Sequence, residues 1–217
     1  MGATHIPGKD LLDVLMAESA TMHKHLCPRQ VLGLRMGLYG LRLLGLLNDD
    51  YQARFYNERK RLLTIVETDG CGADGIAVAT DCYVGRRTLR VLDFGKMAAT
   101  LIDTQEKRRV NGRSHPLHGL RIIPSPAARD LAVACVPEAQ SRWHAYLAAY
   151  QILPDEELLV AQPVKLTQTL AEILSRPGVR ADCAVCGEEI INEREVVVDG
   201  RFLCRPCAGE SYYSTKD

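Results

Sequence analysis

The sequence predicts an α+β chain: a mixed core domain over residues 1–175 and a small cysteine-held module over residues 176–217. Three observations carry this. Apolar residues recur at helical spacing in some windows and form short β-branched runs in others. The two kinds of segment are mixed without the strict strand–helix alternation that builds a doubly wound sheet. Four of the eight cysteines fall in two Cys-x-x-Cys pairs near the end, in a stretch with too few apolar residues for a core of its own.

The elements follow in order. Leu11, Leu12, Leu15 and Met16 fit an amphipathic helix over 10–21. Pro28, favoured at a first helical position, puts Cys27 at the N-cap of a second helix that runs to about residue 47. That run holds Gly33, Gly37, Gly40 and Gly45 and is interrupted by Arg35 and Arg42, so it reads as a buried helix and not a membrane span. Residues 62–67 read as a strand, Asp69-Gly70-Cys71-Gly72 as a turn, and 73–80 as a helix. Strands are expected at 88–93 and 97–103 around a Phe94-Gly95 turn, then at 120–123. Helices at 126–134 and 137–153, a strand at 158–164 and a short helix at 167–175 complete the core. Arg176-Pro177-Gly178 breaks the pattern and serves as linker.

Composition excludes several functions. With 47% apolar and 25% charged residues the chain is a globular, soluble type. Lys plus Arg balances Asp plus Glu at 27 each, which gives no electrostatic case for nucleic acid or an anionic membrane as partner. Residues 1–10 lack the basic patch and apolar run of a signal peptide. Eight cysteines then point to a reducing, cytoplasmic setting, where clustered Cys binds metal or does chemistry more often than it forms disulfides.

Cys183-Ala-Val-Cys186 and Cys204-Arg-Pro-Cys207 are separated by seventeen residues, 187–203. Each Cys-x-x-Cys turn presents two thiolates to one ion, and two turns close a tetrahedral zinc site with no open position, so the role is structural. The segment between them reads as a hairpin over 190–202, with Val196, Val197 and Val198 as strand and Asp199-Gly200 as turn. A helix starting near Ala208 would make the module resemble a treble-clef zinc finger. Its acidic residues, Glu188, Glu189, Glu193 and Glu195, argue against DNA binding.

A second cluster lies upstream in His23-Lys24-His25-Leu26-Cys27-Pro28. If the chain runs extended from His23, the three donors point to one side; if it stays helical, His23 and Cys27 share a face. Cys27 at a helix N-terminus should have a depressed thiol pKa, and Cys71 repeats the logic, with Asp74 about one turn on. His23, His25, Cys27 and Cys71, with Asp74 as orienting partner or general base, form the candidate catalytic or metal site. Cys82 and Cys135 are expected in the core, and His144 beside Trp143 on a helix surface. His115 and His118 are expected in a solvated loop, and Lys107, Arg108 and Arg109 at a solvated strand end.

His23-Lys-His25-Leu-Cys27-Pro28 followed by Gly33-Leu-Arg-Met36-Gly37 resembles the N-terminal signature of the FmdE family of formylmethanofuran dehydrogenase proteins. Glu67-Thr-Asp-Gly-Cys71-Gly-Ala-Asp74-Gly-Ile76 and Asp93-Phe-Gly95-Lys96-Met-Ala98 are similar to further segments of that family, so the resemblance spans about residues 11–104. It implies an α+β core with a groove lined by the His and Cys residues, able to hold a second transition metal, and a homodimer. It also implies association with molybdenum or tungsten formylmethanofuran dehydrogenases or related anaerobic one-carbon metabolism. The tail is similar to the treble-clef appendage of some members. The family pattern usually has Gly where Lys24 and Arg29 stand. Two other classes of function stay open on the residues: an accessory or assembly factor that binds a partner enzyme or delivers metal or cofactor, and a thiol-redox protein using Cys27 and Cys71.

Overall fold

Helix α1 (Lys9–His23) buries Leu12, Leu15 and Met16, the stripe its spacing predicts. It ends at Lys24, whose φ of 63° is left-handed, and the chain reverses there into the run that carries His25 and Cys27. Helix α2 (Pro28–Leu43) starts as expected, with Cys27 at the N-cap and its N–H donating to the Gln30 side chain at 2.8 Å. It stops four residues short of the expected end. Gly45 takes φ +68°, its N–H donates to Arg42 O, and Leu46 N–H donates to Leu41 O, a glycine-centred termination that closes the helix.

Strand β1 (Leu62–Val66) leads into helix α3 (Cys71–Thr80), which starts at Cys71 itself and not at Ala73. Strand β2 (Leu89–Val91) pairs in parallel with β1, and β3 (Ala99–Asp103) pairs antiparallel on its other side. The hairpin expected around Phe94-Gly95 therefore does not form. The α3 crossover returns the chain to β1's starting end, which makes β2 parallel. The loop then passes the end of β1, where Phe94 and Lys96 N–H both donate to Glu67 O.

The short ribbon β4 (Arg109–Val110) with β5 (Arg113–Ser114) precedes β6 (His118–Pro124). His118 thus opens a strand and does not sit in a loop, because its backbone pairs with Lys165. Helices α4 (Ala128–Cys135), α5 (Arg142–Ile152) and α6 (Asp155–Leu158) lead to β7 (Leu159–Lys165). The sheet order is β2-β1-β3-β6-β7, parallel only at β1/β2. Helix α2 lies on this sheet: a Cβ at Gly40 would sit 2.7 Å from a Leu101 methyl, with Ile122 next. Leu34, Leu38 and Leu41 of α2, Ile76 of α3, and Leu101 and Ile122 of the sheet share one core.

The computed structural model describes residues 5–51, 53–105, 109–110, 113–114 and 118–214. His115, Lys107 and Arg108 lie outside the described residues, as do the side chains of Arg109 and His118. The chain forms two compact units, Met1–Leu166 and Thr167–Asp217. In the second, helix α7 (Leu170–Leu174) is opened by a Thr169/Glu172 capping box. Strand β8 (Arg180–Asp182) pairs with β9 (Glu189–Ile191), and β10 (Val196–Val198) with β11 (Arg201–Leu203). The single hairpin expected over 190–202 is thus two ribbons, because β9 pairs backward onto β8. Asp199 and Gly200 both take positive φ, the conformation a tight primed turn requires. No helix follows Cys207 among the described residues: Glu210 N–H donates back to Arg205 O and Gly209 takes φ +100°, which turns the chain instead. Among the described residues, no helix is long and apolar enough to cross a membrane.

Candidate functional site

Glycine builds the centre of the core unit. A Cβ at Gly33 would lie 2.3 Å from Gly72 O, and one at Gly75 would lie 2.2 Å from Gln30 O. Real side chains cannot occupy those distances, so α2 and α3 approach backbone to backbone. Further along, Gly37 meets Ala79 and Thr80. Contacts rise together in both helices, so α2 and α3 run in the same direction and begin at the same end. That end carries Cys27 on one helix and Cys71 on the other, and the two thiols interact.

His23 closes the cluster. Its Nε2 lies 3.2 Å from Cys71 Sγ and its Nδ1 lies 3.4 Å from Asp74 Oδ2. Between His23 and Cys27 the chain neither runs extended throughout nor stays helical, the two courses open to it on sequence; the left-handed Lys24 turns it. His25 is exposed, its ring 4.8 Å from that of His23. Cys27 is buried and Cys71 partly buried. The Cys71 thiol is pushed up and not down, first by burial and then by the Cys27 thiol beside it, and these outweigh the α3 N-terminus that favours the thiolate.

These thiols lie at one side of a cleft of about 610 Å³. The N-terminal turns of three helices reach it, through Pro28 of α2, Cys71 of α3 and Ala128 of α4. Arg29 and Arg129 supply cations, and no acidic residue lines the cleft among the described residues. Trp143, Tyr146 and Tyr150, on one face of α5, form an aromatic wall. Tyr146 and Tyr150 stack with ring centroids 5.7 Å apart and planes 5° from parallel. Burial pushes the Tyr150 hydroxyl up, against the opposing pull of Arg129.

Sequence reasoning missed what holds this wall. Arg35 reads as an interruption of α2 in the sequence, but its guanidinium is fully buried. It donates to Asp155 Oδ1 at 2.8 Å, to Tyr150 O at 2.6 Å and to Leu153 O. Asp155 also accepts from the Tyr51 hydroxyl, which Arg42 meets at 2.9 Å. A charge inside an otherwise apolar, glycine-bearing helix was the available signal, since a buried charge must be paired. Cys82 is buried as expected, but Cys135 is exposed: it is the last residue of α4, past the turns that bury Ala128 and Ala132.

In the second unit, Cys183, Cys186, Cys204 and Cys207 place their sulfurs within 4.8 Å of one another, the one such donor cluster among the described residues. Each pair is set by the same turn: Gly187 N–H donates to Cys183 O and Ala208 N–H to Cys204 O. Cys186 and Cys204 sulfurs are 3.8 Å apart. A tetrahedron with Zn–S bonds of about 2.3 Å has edges of about 3.8 Å, so the donors fit zinc. Backbone N–H groups of Cys186 and Cys204 bring the Cys183 thiol down to about 6, while crowding by Cys204 and the others takes Cys207 up to about 12. Four such thiols ionise together only around a cation.

A thiol-lined α+β core joined to a four-cysteine zinc module is the class of molecule this fold and these donor sets define. The chain belongs to the FmdE family, whose model, described as FmdE, molybdenum formylmethanofuran dehydrogenase operon, matches residues 22–160. Residues 178–213 match the prokaryotic dksA/traR C4-type zinc finger. A protein of Archaeoglobus fulgidus described as a probable S-adenosyl-L-methionine-binding protein is 29% identical over 213 residues, which cover 92% of this chain and 54% of that one. The chain thus spans about half the length of the curated relative it matches. The crystal structure of an FmdE-like protein of the tungsten formylmethanofuran dehydrogenase type, from Syntrophus aciditrophicus, shares the fold, with TM-score 0.55, 19% identity, and 94% and 95% of the two chains covered.

Proposed function

We propose that the core cleft is a metal centre of FmdE type in which Cys27, Cys71 and His23 are the ligands and Asp74 orients His23. The observation that carries this is the His23 ring, with Nε2 on the Cys71 sulfur and Nδ1 on the Asp74 carboxylate. A carboxylate on the far nitrogen fixes the tautomer and ring plane of a metal-binding histidine. Two thiolates and one imidazole suit zinc or another borderline transition metal and leave a position open toward the cleft. When bound, such a metal would act as a Lewis acid on a ligand in the cleft. His25 is exposed beside His23 and serves the entrance rather than the ligand set.

In this reading the protein works, as a homodimer, with molybdenum or tungsten formylmethanofuran dehydrogenases or in related anaerobic one-carbon chemistry. The family membership supports that setting. The zinc module supplies folding free energy to its own unit and a contact surface. S-adenosyl-L-methionine, the ligand in the Archaeoglobus relative's description, carries net positive charge, and the charged groups lining this cleft are cationic, so the metal reading is the better supported.

Metal analysis of the full chain tests it. Wild type should hold two metal equivalents, and the Cys27→Ser/Cys71→Ser variant one. Unchanged metal content in that variant would refute the core centre. Release of metal from the core to an apo partner enzyme, with no turnover of any small substrate, would favour the delivery role. A reversible Cys27–Cys71 disulfide under mild oxidation, in a chain without core metal, would favour thiol redox chemistry.

A further inference from the structure

The cleft beside the thiols has features that a metal centre alone does not need. Its volume of about 610 Å³ is in the range that holds small organic ligands. Its charged lining residues are of one sign. Arg29 occupies the second position of α2 and Arg129 the second position of α4, so each guanidinium adds to the partial positive charge of the helix end that bears it. A third N-terminus, that of α3 at Cys71, faces the same space. Both arginines are exposed, and neither has an ion pair among the described residues. Elsewhere in this unit arginines find carboxylates: Arg35 with Asp155, Arg61 with Asp103, Arg86 with Asp81, Arg121 with Glu67.

The opposite wall has different chemistry. Trp143 is 44% exposed although it is a large apolar side chain on a helix whose Ala145 and Ala149 are buried. Tyr146 and Tyr150 continue its face as a parallel stacked pair. An exposed aromatic continuing a stacked series gives a platform for a flat ring. Met97 covers Gly72 between this space and the α3 N-terminus, which keeps that part of the cleft apolar.

We infer that the cleft binds an organic anion bearing a purine-sized flat ring, with the ring on the Trp143–Tyr146 wall and the acidic group at Arg29 and Arg129. This rests on the proposed metal centre only for what would happen to the ligand next; the binding itself needs the arginines and the aromatic wall. The acidic group accepts charge-assisted hydrogen bonds from two guanidiniums, and the ring buries one face on indole. Either half alone is a weak ligand, because each half leaves the other wall in water.

Trp143 is the single tryptophan of the chain, so its fluorescence reports this wall alone. The probe is adenosine 5′-monophosphate (AMP), titrated into the full-length protein beside adenosine and inorganic phosphate. AMP should quench Trp143 saturably and bind at least about tenfold tighter than adenosine or phosphate. Arg29→Gln and Arg129→Gln should each weaken AMP by about tenfold or more without changing the melting temperature. Calorimetry on Trp143→Ala, where the optical signal is gone, should show a comparable loss. Absence of saturable AMP binding, equal binding of AMP and adenosine, or full affinity in both arginine variants would each overturn the inference. The Cys27→Ser/Cys71→Ser variant separates the two proposals. If it loses metal but keeps AMP, both stand as independent sites. If wild type holds the core metal and ignores AMP, the metal centre stands and the ring-anion site falls. If AMP binds and the variant's metal content is unchanged, the metal reading falls alone.

Discussion

Arg35 and Asp155, 120 residues apart in sequence, form an ion pair with both side chains fully buried. Through the Tyr150 and Leu153 carbonyls the same guanidinium ties α2 to the end of α5, the helix that carries the aromatic wall. Removing one partner of such a pair strands the other charge in the core. Arg35→Met should cost about 3–5 kcal/mol in urea denaturation. Arg35→Met/Asp155→Leu should recover part of that loss, since no lone carboxylate is left behind.

The approach of α2 and α3 depends on glycine. A methyl at Gly33 or Gly75 meets backbone oxygen at 2.3 or 2.2 Å, and a backbone cannot swing away as a side chain can. Gly33→Ala and Gly75→Ala should each destabilise by about 1–3 kcal/mol or more, read from thermal unfolding. Because the same contacts bring Cys27 beside Cys71, both variants should also lose core metal while keeping the zinc of the second unit.

Lys24 departs from the family pattern at a position whose φ is 63°. Glycine enters that region without the steric cost a Cβ meets, while its greater freedom in the unfolded chain offsets part of the gain. Lys24→Gly should therefore raise stability by about 0.5–1 kcal/mol in thermal or urea unfolding. A drop in stability would mean that the ammonium itself contributes.

Arg121 grips Glu67 with two hydrogen bonds of 2.6 and 2.8 Å, and this holds the carboxyl below its ordinary value of 4.5. A depressed carboxyl contributes stability that is present above its unfolded pKa and is lost as pH falls through its folded pKa. Wild type should lose stability as pH drops below about 4.5. Arg121→Gln should be less stable than wild type at neutral pH and converge with it in acid. Urea midpoints measured from pH 7 to pH 3 decide this.

The second unit has few buried apolar side chains, Ile190 and Cys183 among them. Its two ribbons should therefore depend on the ion. Chelation, or Cys204→Ser, should remove zinc and expose residues 179–210 to rapid proteolysis. Persistence of the protected segment without zinc would contradict the structural role.

Local chemistry wrote much of this into the sequence. Pro28 after Cys27 marks a helix start, Asp199-Gly200 a tight turn, and two Cys-x-x-Cys turns a tetrahedral site, because each depends on neighbours within a few residues. The end of α2 was misread because a glycine inside an apolar run looks the same whether it packs or caps; only the φ of Gly45 distinguishes them. The expected β2–β3 hairpin failed for a related reason. A turn-like Phe94-Gly95 pair does not reveal that β1 already lies between the two strands.

The sequence by itself determined the four zinc donors, the α+β class and the thiols at two helix starts. Those follow from residue type and short spacing. Only the tertiary structure decided that the two helices run side by side, that His23 reaches Cys71 while His25 stays outside, and that Arg35 is a buried tie. It also set the Cys71 thiol upward, against the helix-end expectation. The physical reason is common to all four: backbone approach, burial and charge pairing are made by residues far apart in the chain.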